Sequence, residues 1–279
     1  MLGHQLLRTL SRSHDVRVTL RQESKSYAQL GLFNEQNSYS GVDVRITDRL
    51  IGVLTDFHPD TVINAVGVVK QRPYGLDPIP NLEINALLPH RLAAICSAIR
   101  ASFIHISTDC VFSGRRGNYS ELDEPDPIDV YGHSKLLGEV EGPRCVTLRT
   151  SIIGRELSRK SSLFEWFLAQ TGQVQGFKKA IFSGFTTIEL SRVIERLITH
   201  YPDATGSYHV SSYPISKYDL LNLIKDKLKL PVNIIPENTF ECNRSLDSRR
   251  FREHFDYSPP AWNDMVDELV ANYLLEGKK

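Results

Sequence analysis

Two rhythms of apolar and polar positions run along this chain. Leu6, Leu7 and Leu10 share one face of a helix predicted over residues 3–12. From Val16 to Leu20 the pattern changes to alternation, which predicts a strand. A second strand is predicted over Val42 to Ile46, then a helix from Asp48 to Phe57. Val62 to Val66 is a near-continuous apolar run ending at Gly67, as expected of a buried strand. A loop with Pro73, Pro78 and Pro80 leads into a long helix from Asn81 to Arg100. Phe103 to Ile106 is another short apolar run, and Ser107, Thr108 and Asp109 stand at its end. A Gly- and Pro-punctuated loop follows, then a helix over 130–141 and a strand from Cys145 to Leu148. Strands alternating with helices predict an α/β fold, a Rossmann-like doubly wound parallel sheet covered on both faces.

The second half is less regular. Helices are predicted over Leu163 to Gln170, Glu189 to Thr199 and Lys217 to Leu228, with a strand from Gly206 to Ser211. We therefore divide the chain into a dinucleotide-binding part, 1–150, and a smaller C-terminal substrate lobe, 151–279. The lobe is interleaved with the last sheet elements and closes over the C-terminal strand edges, where ligands bind in such sheets.

Composition narrows the function classes. The 279 residues carry zero formal net charge, so no basic stripe points to nucleic acid or an anionic membrane. The four cysteines are far apart, without metal-ligand spacing, and read as reduced thiols of a cytoplasmic protein. No apolar run reaches the roughly 20 residues a membrane helix needs, and no signal peptide is expected.

The chemistry lies in Tyr131-Gly132-His133-Ser134-Lys135. A spacing of four puts phenol and ammonium on one helix face, one turn apart. A nearby cation favours phenolate, so Lys135 is expected to lower the Tyr131 pKa. Such a phenol exchanges a proton with an oxygen on a substrate carbon. Thr108 or Ser107 is placed to hold that oxygen. This is equipment for reducing a ketone or oxidising an alcohol with a nicotinamide cofactor.

Ser107-Thr108-Asp109-Cys110-Val111-Phe112, followed by Tyr131-Gly132-His133-Ser134-Lys135-Leu136-Leu137-Gly138-Glu139, resembles the extended short-chain dehydrogenase/reductases. Within them the chain is most similar to the dTDP-4-dehydrorhamnose reductase branch, which reduces 4-keto nucleotide sugars. Asn64-Ala65-Val66-Gly67, Leu148-Arg149-Thr150 and Leu246-Asp247-Ser248-Arg249-Arg250-Phe251 fit as well. The resemblance makes Tyr131 the proton donor and gives Lys135 the nicotinamide ribose hydroxyls. Thr108 orients the carbonyl, with Ser107 as the second candidate. Asp109 matches a position that is acidic in the sugar dehydratases, and it also suits a turn cap. Cys110 replaces the Tyr usual there in the rhamnose reductases.

The family begins with a strand and a Gly-x-x-Gly-x-x-Gly turn that receives the pyrophosphate. Here Met1-Leu2-Gly3 occupies what resembles the end of that turn, with Gly3 as its last glycine. The first strand and the first part of the Gly-rich turn are therefore expected to be missing. That strand is central, so its loss leaves two neighbours without ladder partners. Arg21 follows the second strand, where it can bind a 2′-phosphate. Asp43 and Val44 resemble the segment that brackets adenine, and Ala65 and Gly67 follow the next strand. Lys70, Gln71, Arg72 and Arg244 are placed to reach the sugar or its phosphates.

Together these readings predict a cytoplasmic NADPH-dependent 4-keto reductase of a nucleotide-activated deoxysugar, with NADH as the alternative cofactor. It would serve polysaccharide or glycan synthesis, and a homodimer is compatible with it. Epimerisation or dehydration on the same scaffold is the first alternative. The second is a non-catalytic subunit, like the regulatory subunit of methionine adenosyltransferase in this branch.

Overall fold

A computed structural model describes residues 1–70, 77–158 and 161–276. Its centre is a parallel four-stranded sheet. In chain order its strands are β3 (Thr61–Asn64), β4 (Ser102–Thr108), β5 (Cys145–Thr150) and β9 (Gly206–His209), paired in that order. Phe103 lies opposite Cys145, and Thr108 opposite Thr150. Side chains leave a strand alternately to the two faces, and both faces here are apolar. Ile104, Val146 and Leu148 join Leu6, Leu190 and Ile194 in one core. Phe103 and Cys145 join Leu50, Leu54, Leu88 and Leu92 in another. Burying each large aliphatic chain contributes about 1.5–3 kcal/mol.

The covering helices show why their sequences are helical. In α1 (Leu2–Leu10), Leu2, Leu6, Leu7 and Leu10 are buried, and the helix packs on α7 (Thr187–His200). α2 (Thr47–Phe57) buries Leu50 and Leu54 against the other face. The long predicted helix starts earlier than expected, at α3 (Pro78–Asn81), where Asp77 accepts the Ile79 N–H at 3.0 Å. It widens into a π-type segment over Leu82–Leu87 and resumes as α4 (Leu88–Ile99). Pro89 has no N–H for the carbonyl of Asn85, which loosens the turn there. The next helix, α5 (Val130–Leu137), is shorter than the predicted 130–141.

A second, two-stranded sheet pairs β1 (Val18–Thr19) with β2 (Ser38–Tyr39) in parallel. The expected strand over Val42–Ile46 does not form. Gly41 turns the chain at φ +69°, and Asp43 accepts the Arg45 N–H at 3.0 Å, closing a local turn. The strand over Val16–Leu20 shrinks to its two paired residues. Among the described residues no strand joins β1 to β3. Between them lies an apolar cavity of about 480 Å³, lined by Leu6, Leu10, Val18, Ile63, Ala65 and Leu92 among others.

The remaining elements form the C-terminal region. β6 (Ile152–Ile153) pairs with β8 (Phe185–Thr186). β7 (Gly172–Phe182) lies between β10 (Ile215–Ser216) and β11 (Val232–Asn243), with α8 (Lys217–Leu228) packed on it. The sequence reading missed both long strands. They mix Lys178, Lys179, Glu237 and Glu241 into half-exposed stretches, and β11 is irregular between Glu237 and Glu241. α6 (Leu163–Leu168), α9 (Arg249–His254) and α10 (Trp262–Glu276) complete the chain. Phe164, Leu220, Phe251 and Val266 belong to the same core as Ile104, so the two halves share one interior. No helix among the described residues is long and apolar enough to cross a membrane.

Candidate active site

The C-terminal end of β4 and the start of α5 build the site. Asp129 caps α5, accepting the Gly132 N–H at 2.8 Å. Two glycines let this helix approach its neighbours. A Cβ on Gly132 would lie 2.4 Å from the Cys110 carbonyl oxygen, and one on Gly138 only 1.8 Å from that of Asn85. Beyond β4 the chain enters a single tight turn, Asp109–Val111, in which Thr108 Oγ1 accepts the Cys110 N–H at 3.1 Å. These contacts bring Thr108, Asp109, Cys110 and Tyr131 together.

The Thr108 hydroxyl reaches both the Tyr131 phenol and the Asp109 carboxyl, the latter at 3.2 Å. Burial raises the Tyr131 pKa, and Cys110, Asp109 and Asp129 push the same way; the Thr108 bond opposes them. The expected lowering by Lys135 is thus not found. Lys135 Nζ donates to the Ile106 carbonyl at 2.7 Å and lies 3.3 Å from His105 Nε2. Burial lowers the Lys135 pKa to about 8, against the pull of Glu139. Burial also raises Asp109, with Arg244 opposing, and lifts the Cys110 thiol to about 11.

Other candidates separate clearly. Ser107 donates to Glu139 at 2.7 Å, and Glu139 holds Arg149 through both carboxylate oxygens. Ser107 is thereby committed beneath the site rather than to it. Lys70 reaches the site, in an ion pair with Asp129 at 2.5 Å and 5.5 Å from the Tyr131 ring centre. Arg244 lies beside Asp109, braced by the Phe112 and Ser113 carbonyls at 2.8 and 3.3 Å. Gln71 and Arg72 lie outside the described residues.

The residues expected at the dinucleotide lie along the other edge. Gly3, Val44 and Ala65 line the cavity between β1 and β3. Gly3 has open space around its Cβ position, so packing does not require a glycine there. Gly67 does sit close: a Cβ would be 3.3 Å from Asn85 Oδ1. Arg21 is exposed and attracts Asp43, whose carboxyl is held near 2, chiefly by Arg45.

Sequence reasoning missed three buried polar residues. Asn85 clamps Val68 through its amide, at 2.9 and 3.0 Å, and meets Ser134 at 3.2 Å. It thereby ties the loop after β3 to α5. Asn64 and His105 meet at 3.2 Å under Lys135. The signal for His105 was a polar residue inside an otherwise apolar strand; for Asn85 it was its four-residue spacing from Asn81.

An interrupted but doubly wound parallel sheet, with polar residues at its C-terminal edge, defines a Rossmann-like protein. The chain belongs to the RmlD substrate binding domain family, whose profile matches residues 1–275. It is 26% identical to a dTDP-4-dehydrorhamnose reductase of Aggregatibacter actinomycetemcomitans, over 84% of this chain and 88% of that one. A probable low-salt glycan biosynthesis reductase of Haloferax volcanii is 38% identical, but that match spans 40% of this chain and 39% of the relative. A hypothetical dTDP-4-dehydrorhamnose reductase from Sulfolobus tokodaii superposes with a TM-score of 0.72 at 30% identity, covering 90% of each chain. The Bacillus anthracis dTDP-4-dehydrorhamnose reductase, solved with NADP, shares the fold at 21% identity, covering 93% of this chain and all of that one, with a TM-score of 0.76.

Proposed function

We propose that this protein reduces the 4-keto group of a nucleotide-activated deoxysugar with NADPH, in the cytoplasm, for glycan or polysaccharide synthesis. Residues 1–150 carry the dinucleotide and 151–279 the substrate lobe. The observation that carries the reading is the meeting of Thr108 and Tyr131 at the end of β4, with Lys135 one turn along α5 and its amine on the Ile106 carbonyl.

Outside the Gly-rich turn, the residues present fit a nicotinamide dinucleotide. The first turn of α1 carries no acidic side chain, so its N-terminal amides favour a phosphate near Gly3. Ala65 and Gly67 would flank the dinucleotide, Asp43 and Val44 the adenine, and Arg21 the 2′-phosphate. Lys135 would hold the nicotinamide ribose. When bound, the reduced cofactor supplies the hydride that converts ketone to alcohol.

Tyr131 gives its proton to the ketone oxygen as that oxygen gains charge. Its raised pKa keeps the phenol loaded at neutral pH, at some loss of acid strength. Thr108 would orient the same oxygen by turning its one hydroxyl proton to it, away from Asp109, which holds that proton at 3.2 Å before substrate arrives. Lys70 and Arg244 supply positive charge near the substrate phosphates.

The test is to incubate the protein with saturating NADPH and dTDP-4-dehydrorhamnose. Cofactor oxidation matched by a two-hydrogen mass gain in the sugar is expected. A folded protein that oxidises no cofactor, or releases an epimer or dehydrated sugar instead, would overturn the reading.

A further inference from the structure

A chain of buried polar groups runs beneath Lys135. Val66 N–H donates to Asn64 Oδ1 at 3.2 Å. The other side of that amide, Asn64 Nδ2, meets His105 Nδ1 at 3.2 Å. His105 Nε2 then faces Lys135 Nζ at 3.3 Å. His105 is fully buried and Asn64 nearly so. The chain joins the loop after β3 to α5 through the middle of the sheet.

Hydrogen-bond chemistry restricts the states of this chain. Burial and the neighbouring Lys135 hold His105 neutral, its pKa well below the usual value. A neutral imidazole has one N–H and one lone pair. Val66 fixes the Asn64 amide with its oxygen outward, so Nδ2 donates and His105 Nδ1 must accept. The ring proton then sits on Nε2, pointing at Lys135. An uncharged amine can accept it; an ammonium has no lone pair to do so.

When Lys135 is charged, Nε2 must instead accept. The ring proton moves to Nδ1, and the Asn64 amide turns over to receive it. That turn forfeits the bond from Val66. The pair takes up one proton overall, and the charge resides on Lys135. Other charged or titratable groups facing the pair are Glu139, one turn along from Lys135, and His90 of α4, which faces His105.

We infer that Asn64 and His105 are positioning residues that couple the charge of Lys135 to the tautomer of His105 and to the loop carrying Ala65, Val66 and Gly67. The inference rests on the proposed reductase only in giving Lys135 a role. The coupling makes charging of the lysine respond to anything that moves this loop.

The test uses the protein alone, without cofactor or substrate, so failure of the reductase reading leaves it intact. Ring-nitrogen NMR of His105 and ε-carbon NMR of Lys135 are followed together across the lysine transition, expected near pH 8. His105 should carry its proton on Nε2 above the transition and on Nδ1 below it, with coincident midpoints. One unchanged tautomer throughout overturns the inference. A second measurement uses Asn64→Asp, whose carboxylate accepts from Nδ1–H across the lysine transition. The Lys135 midpoint should rise by about one unit or more, a tenfold gain in proton affinity. Adding His105→Phe should remove most of that rise. An equal rise in the double variant would mean that the carboxylate acts through space, and the coupling would be refuted.

Discussion

Replacing Lys135 with methionine should stabilise the folded protein at neutral pH and destabilise it in alkali. Lys135 is 4% exposed, and its pKa falls from 10.5 to about 8. Between those values the unfolded chain binds a proton that the folded one has released. Stability therefore rises with pH through that window. Below about pH 8 the folded state bears the whole cost of the buried charge. The shift corresponds to about 3 kcal/mol. Methionine fills similar volume without charge, but it loses the bonds to the Ile106 carbonyl and to His105, about 2 kcal/mol together. At pH 7 the variant should then gain roughly 1 kcal/mol, and above the window lose roughly 2. Urea unfolding of both proteins, followed by Trp166 and Trp262 fluorescence, measures the difference at each pH, and titrations common to both cancel. A difference that stays flat from neutral pH to pH 10.5 would refute the assignment of Lys135 as a buried, proton-shedding amine.

Further outcomes are expected from single changes. Tyr131→Phe should cut turnover by roughly 10²–10⁴-fold while leaving cofactor affinity nearly unchanged, as read by steady-state kinetics and NADPH titration. Parent-like turnover would remove the phenol from the chemistry. Arg21→Ala should narrow the preference for NADPH over NADH by about 1–3 kcal/mol, and equal affinity of the parent for both would dismiss the arginine's role. Gly138→Ala forces a methyl against the Asn85 carbonyl at 1.8 Å. It should lower stability by about 1–3 kcal/mol in thermal or urea unfolding, and an unchanged Tm would mean that α5 shifts freely.

Most of the main sheet was legible because burial on both faces writes itself as apolar runs. Val62 to Val66 and Phe103 to Ile106 mark β3 and β4 to within a few residues. α8 matches its predicted bounds because its apolar spacing and capping serine are local signals. β7 and β11 were not legible: each is stabilised by the other, some sixty residues away, and its exposed lysines and glutamates hide the alternation. Of the site, the spacing of Tyr131 and Lys135 and the hydroxyl of Thr108 could be read directly. The direction of the Lys135 amine could not. It depends on the Ile106 carbonyl and on His105, partners that only the folded β4 presents.

The gap between β1 and β3 changes how the sheet centre meets solvent. In a parallel ladder alternate residues point their amides to opposite sides. Val18 and Leu20 bond toward β2, and Asp60 toward β4, which turns Thr19, Thr61 and Ile63 toward the cavity. The middle of a sheet is ordinarily the last region to exchange its amide hydrogens with solvent. Among the described residues it presents two edges over an apolar floor, the pattern that accepts an extended segment. The amides of Thr61 and Ile63 should accordingly exchange faster than those of Val62 and Asn64, which turn toward β4.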